Sequence, residues 1–196
     1  SLSSNGSVVA IGATRGGSDG GYVNRGYVRV YSYDGGSWNK LGSDIDGEAS
    51  NVYSGTSVSL SSNGSIVAIG APHAGGAGGS GGGSGSLTGH VRVYQRDESN
   101  TSVEPIGWTK LGDDIDGENA DDRSGTSVSL SNDGSVVAIG ARANYTTDTS
   151  NASYVPSMGH VRVYSYSGSS WVQVGSDIDG EASGDNSGYG LTSVSL

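Results

Sequence analysis

The segment Leu2-Ser3-Ser4-Asn5-Gly6-Ser7-Val8-Val9-Ala10-Ile11-Gly12-Ala13 returns as Leu60 to Ala71 and again as Leu130 to Ala141. A chain that repeats itself in this way folds as equivalent units, each too small to bury its apolar face without a neighbour. Two further blocks follow every copy. The first reads Val28-Arg29-Val30-Tyr31, Val91-Arg92-Val93-Tyr94 and Val161-Arg162-Val163-Tyr164, each followed by a tryptophan at 38, 108 or 171. The second is Asp44-Ile45-Asp46-Gly47-Glu48, matched by Asp114 to Glu118 and Asp177 to Glu181. Leu2, Leu60, Leu130 and Leu196 mark one phase, spaced by 58, 70 and 66 residues. The chain is therefore one repeat region, 1–196, with units at 2–59, 60–129 and 130–195, and both ends are expected to fall within a strand.

Without the repeat, the composition would read as disorder. There are 36 Gly and 37 Ser in 196 residues, only 36 Val, Ile and Leu together, no Phe, and a net charge of -10; such values normally leave too little apolar surface to offset chain entropy. The repeat gives much of the Gly and Ser a place: hairpin glycines at 6, 64 and 134, close-approach glycines at 12, 70 and 140, and the polar alternates of Ser-Val-Ser-Leu. Only the run from Gly75 to Gly85 reads as a flexible linker. Low aliphatic content then means that each unit depends on the next.

Within a unit the pattern is all β. Thr56-Ser57-Val58-Ser59-Leu60 alternates apolar with polar at period two, and Asn63-Gly64 is the strongest two-residue hairpin signal. Val67-Ala68-Ile69-Gly70-Ala71 is a short apolar strand with small residues where another sheet comes close. The third strand carries Val91 and Val93, and the fourth starts near Trp108 and runs toward Ile115. Four antiparallel strands in about 65 residues match a β-propeller blade, and helix content is expected near zero. Three blades do not close a ring, so the unit is expected within a larger ring or a polymer.

These residues resemble the FG-GAP repeats of integrin-α-like β-propellers over the whole chain. Gly70-Ala71-Pro72 stands as that family writes it, with Gly12-Ala13-Thr14 and Gly140-Ala141-Arg142 in the other copies. The "FG" half appears as Ser54-Gly55, Ser124-Gly125 and Tyr189-Gly190. The resemblance implies blades around a central axis and a calcium loop between the first and second strands. Here Ser61-Ser62-Asn63-Gly64 replaces that Asp-rich loop, and a two-residue hairpin lacks room for six to eight oxygen ligands.

Candidate sites follow from the repeat. The acids Asp44, Asp46, Glu48, Asp114, Asp116, Glu118, Asp177, Asp179 and Glu181 are nine of the twenty in the chain. They offer hard oxygens to calcium, or they cap turns and guard blade edges while Ile45, Ile115 and Ile178 plug the core. Pairing of the three Val-Arg-Val arginines with those acids across a blade is expected to be a modest surface effect. His90 and His160 share a position with Tyr27, which reads as a place for an aromatic with a polar tip. Trp38, Trp108 and Trp171 read as blade packing. No serine lies in a nucleophile elbow, and no glycine run opens a helix as a phosphate cradle does, so an enzyme is not expected. Ten basic residues against twenty acids argue against a nucleic-acid partner. There is no cysteine, no apolar run long enough for a membrane span, and no signal-peptide pattern at the first residues.

Five sequons remain. Asn100, Asn144 and Asn151 lie in variable loops, where a glycan would be exposed, whereas Asn5 and Asn63 belong to the hairpin turn, which favours Asn-Gly for its own reasons. Together these features point to an extracellular or cell-surface scaffold, structural or adhesive, that self-associates or continues the repeat. The alternative is an integrin-like module binding a protein or glycan through its loops.

Overall fold

The computed structural model describes residues 1–16, 23–75, 87–142, 159–181 and 194–196. Among them the protein is all β, with no helix, in three antiparallel sheets. The linker reading of Gly75 to Gly85 falls almost wholly outside the described residues, as do Tyr189-Gly190 and the sequons at Asn144 and Asn151.

The first sheet contains β1 (Val8–Ala13), β2 (Tyr27–Tyr33), β3 (Trp38–Lys40) and β4 (Ile45–Asp46). The second contains β5 (Ser57–Leu60), β6 (Ile66–Ala71), β7 (His90–Arg96), β8 (Trp108–Lys110) and β9 (Ile115–Asp116). The third repeats that order with β10 (Ser124–Leu130), β11 (Val136–Ala141), β12 (His160–Tyr166), β13 (Trp171–Gln173) and β14 (Ile178–Asp179). Registers coincide as well: Ala71 faces His90, Ala141 faces His160 and Ala13 faces Tyr27.

Two local expectations need correction. The hairpin between the first and second strands is not a two-residue Asn-Gly turn. Gly64 N–H bonds the Ser61 carbonyl at 2.9 Å, so Ser62 and Asn63 are the central residues, and only Gly64, at φ 74°, is left-handed. The Asn63 side chain decides this, because its Oδ1 accepts the Ser65 N–H at 3.0 Å and the Ser65 hydroxyl at 2.7 Å. An Asx turn of that kind needs no positive φ at Asn. The fourth strand is also broken rather than continuous. Leu111 N–H still bonds the Val93 carbonyl at 2.8 Å, but Gly112 turns left-handed at φ 69°, and the chain rejoins the third strand only at Ile115. Gly42 and Gly175 do the same in the other sheets.

The core lies between sheets. Ala10, Val28, Val30 and Ile45 of the first sheet pack on Leu60, Val67, Ile69, Tyr94 and Trp108 of the second. Ala68, Val91, Val93 and Ile115 on the other face of the second sheet pack on Val128, Leu130, Val137, Ile139 and Tyr164 of the third. A strand such as Val67-Ala68-Ile69 is apolar on successive residues because both of its faces are covered. Where the next chain segment crosses, side chains disappear: a Cβ on Gly70 would run into the Gly125 carbonyl, which instead accepts the Ser57 hydroxyl at 2.8 Å. Gly70→Ala is therefore expected to lower stability by about 2 kcal/mol. Gly36→Ala, at a turn where an added methyl meets only the Asp34 carboxylate at 3.7 Å, is expected to leave the urea midpoint nearly unchanged.

Candidate functional site

The chemistry-bearing residues of the repeat gather at the two junctions between sheets. Arg92, on β7, leaves its own sheet and bonds the Asp46 carbonyl at 2.9 Å, and its guanidinium lies 3.3 Å from Glu48. Arg162, on β12, does the same to the second sheet, with the Asp116 carbonyl at 3.1 Å and Glu118 at 3.3 Å. Both guanidinium side chains are almost wholly buried, at 5% and 3% exposure. This differs from the modest surface pairing expected from sequence, since burial strengthens a charge-assisted bond and makes its loss costly. Arg29 folds instead onto Asp44 of its own sheet at 2.9 Å and is 40% exposed.

The tryptophans form the second half of the junction. Trp108 Nε1 donates to the Leu41 carbonyl at 3.0 Å and Trp171 Nε1 to the Leu111 carbonyl at 2.8 Å. Those carbonyls are available because the glycine that follows each leucine breaks the fourth strand. A buried indole needs such an acceptor. The inner strands add a third contact, in which the hydroxyls of Ser1, Ser59 and Ser129 accept the N–H groups of Leu60, Leu130 and Leu196 at 3.0, 3.0 and 2.9 Å. The Ser-Val-Ser-Leu serines are thus junction residues, which the alternating pattern alone does not show.

The acidic motif is distributed among these roles. Asp44 pairs with Arg29 and Lys40, and these hold its carboxyl below the usual range. Asp114 pairs with Lys110 at 2.8 Å, Asp177 accepts from Gln173 at 2.7 Å, and Asp46 lies 3.8 Å from Arg25. Asp179 and Glu181 are exposed on the third sheet. The carboxylates of Asp44, Glu48, Asp114 and Glu118 face protein cations. Two groups converge: Glu48, His90 and Asp114, and His160, Asp177 and Asp179, with donor atoms within 4.8 Å of one another in each. Each group includes an imidazole nitrogen, a donor suited to transition metals rather than calcium, and in the first group both carboxylates are held by Arg92 and Lys110.

The two histidines fill the position that Tyr27 holds in the first sheet, each facing the last alanine of the second strand. His90 and His160 are 1% exposed, and neither ring nitrogen of either one has a hydrogen-bond partner. Asp122 was also missed by sequence reading. It occupies the place of buried Val52, is itself fully buried, and accepts the Asn119 N–H at 2.8 Å, with burial pushing its carboxyl up.

The Asp97–Gly107 insertion walls a cleft of about 1120 Å³ at the first junction, lined by Arg25, Asp46, Glu48, Arg92, Tyr94, Asn100 and Lys110 among others. At the second junction, where no insertion stands, the equivalent cleft is about 220 Å³. Asn100 organises the insertion: its Nδ2 donates to the carbonyls of Val103 and Trp108 at 2.8 Å and of Pro105 at 3.2 Å. A glycan on that nitrogen would displace these bonds. Asn5 and Asn63 use Oδ1 to close their turns, and Asp133 does so in the third copy, so the turn selects an acceptor oxygen rather than an amide nitrogen.

No protein-family model matches the chain, and no curated protein matches it in sequence. The junction itself supplies a measurable property. Burial, reinforced by Arg92, pushes His90 down to about 4, although Glu48 and Asp114 face the ring and Lys110 stands beside them. The unfolded chain binds the proton near pH 6.5, so the neutral ring contributes stability above that pH, which is lost as the pH falls toward 4. By linkage the loss is about 2 kcal/mol between pH 7 and 4.5. His90→Leu is expected to match wild type in urea unfolding at pH 7 and to show a shallower decline on acidification.

Proposed function

We propose that the chain is an extracellular structural or adhesive scaffold, built of FG-GAP-like β-propeller blades stacked through one repeated junction. The observation that supports this reading most is the use of each sheet. The polar, charged and aromatic residues that recur in the sequence are spent on holding one sheet to the next: arginine to glutamate, indole to carbonyl, serine to leucine N–H. A serine-rich, acidic exterior suits a solvated surface outside the cell, and glycans at Asn144 and Asn151 belong to the same reading. Stability in such an array is a sum of units and nearest-neighbour junctions, so length can vary without redesign of the unit.

One feature favours a second reading, a ligand-binding propeller module of the integrin-like kind. The cleft beside the Asp97–Gly107 insertion is large enough for a peptide or glycan segment and presents Arg25, Lys40, Asp97 and Asn100 at its walls. The insertion is also docked on the first sheet, with Ser43 N–H on the Ile106 carbonyl at 2.9 Å and the Ser43 hydroxyl on Glu104 at 2.5 Å. Electron microscopy of native material separates the two readings: the scaffold predicts elongated assemblies, whereas isolated compact rings would overturn it in favour of the binding module.

A further inference from the structure

The imidazoles of His90 and His160 are 1% exposed, and among the described residues no hydrogen-bond partner reaches any of their ring nitrogens. An unpaired buried polar atom is costly and rare in folded proteins, and a bound ion is one of the few things that relieves it. At the first junction the buried imidazole is aimed at two carboxylates. His90 opens β7, between Ala71 on one side and Asp116 on the other. Asp114 arrives from the break in the fourth strand, and Glu48 comes from the first sheet, just past β4. One ligand atom from each of Glu48, His90 and Asp114 lies within 4.8 Å of the other two.

We propose that Glu48, His90 and Asp114 bind a divalent ion of the zinc class, which clamps the first sheet to the second. Donors no more than 4.8 Å apart leave a central point at most about 2.8 Å from each. Zinc bonds of about 2.0–2.2 Å then need each donor to move by less than about 1 Å. One imidazole nitrogen and two carboxylate oxygens are ordinary zinc ligands, with a water to complete four. Calcium takes oxygen ligands and has no use for the imidazole. Arg92 and Lys110 become supports for the ligands. Each carboxylate has two oxygens, one for the ion and one for the cation beside it, at 3.3 Å from Arg92 and 2.8 Å from Lys110. Arg92 also keeps its bond to the Asp46 carbonyl at 2.9 Å. Glu48 lines the cleft of about 1120 Å³, which gives the ion a way in. The third sheet gathers the same kinds of donor in His160, Asp177 and Asp179, but an ion there would bind within one sheet rather than between two. A zinc clamp serves a scaffold and a ligand-binding module equally, so its loss would leave the choice between them untouched.

Zinc titration of the chelator-stripped chain, followed by NMR of the ring nitrogens of its three histidines, tests the site. One ring nitrogen of His90 is expected to shift as zinc saturates, while those of His73 stay in place, and the thermal midpoint is expected to rise with zinc concentration. Glu48→Gln stands at an exposed position and still offers Arg92 an oxygen, so it is expected to keep the wild-type circular dichroism spectrum. It is expected to weaken zinc binding at His90 by at least about tenfold, and Asp114→Asn is expected to do the same. Zinc that leaves the His90 resonances unmoved, that reaches only His160, or that binds wild type and Glu48→Gln alike would overturn the proposal.

Discussion

Packing of one sheet's face on the next is the interaction on which everything else in this protein depends. No sheet here has a private core, since the buried aliphatics of the first and second sheets form one cluster and those of the second and third form another. The middle sheet is covered on both sides: its third strand is buried at every residue from His90 to Tyr94, whereas the equivalent strands of the first and third sheets alternate between buried and half-buried residues. Short strands and small side chains suffice because both faces contribute.

The polar residues at the junction give that packing its register. Apolar faces alone would tolerate sliding, but an indole that must meet one carbonyl and an arginine that must meet one carbonyl and one carboxylate accept a single alignment. The backbone is shaped accordingly. Breaking the fourth strand at glycine forgoes a ladder bond or two, and in return frees the leucine carbonyl that the next tryptophan requires. The same break brings the acidic motif back onto the third strand at Ile45 and Ile115, where Glu48 and Glu118 can turn toward the following sheet.

Much of this was legible in the sequence, and the misses have physical reasons. The repeat, the apolar second strand and the glycines at 12 and 70 were readable because burial on two faces and close approach leave strong residue preferences. Asn63-Gly64 was misread as a two-residue hairpin because dipeptide statistics do not register that the asparagine side chain closes the turn. Arg92 and Arg162 looked like surface residues because they alternate with valine, and alternation normally marks a solvent face; here the second face belongs to another sheet. His90 and His160 kept their repeat position visible but hid the absence of partners for their nitrogens, a property of packing that no local pattern encodes. Asp122 stood out in no pattern at all, since only comparison with buried Val52 shows what the site holds.

Residues in the same repeat position differ in worth according to whether they are buried against another sheet, which sequence equivalence alone would deny. Arg29 and Arg92 are the cleanest pair, alike in strand, neighbours and register. Urea unfolding of Arg92→Met and Arg29→Met measures the difference. Loss of the buried guanidinium, which leaves Glu48 and the Asp46 carbonyl without their donor, is expected to cost about 3 kcal/mol. Loss of the exposed one is expected to cost under about 1 kcal/mol. Equal shifts of the two midpoints would contradict the view that the junction between sheets holds this protein together.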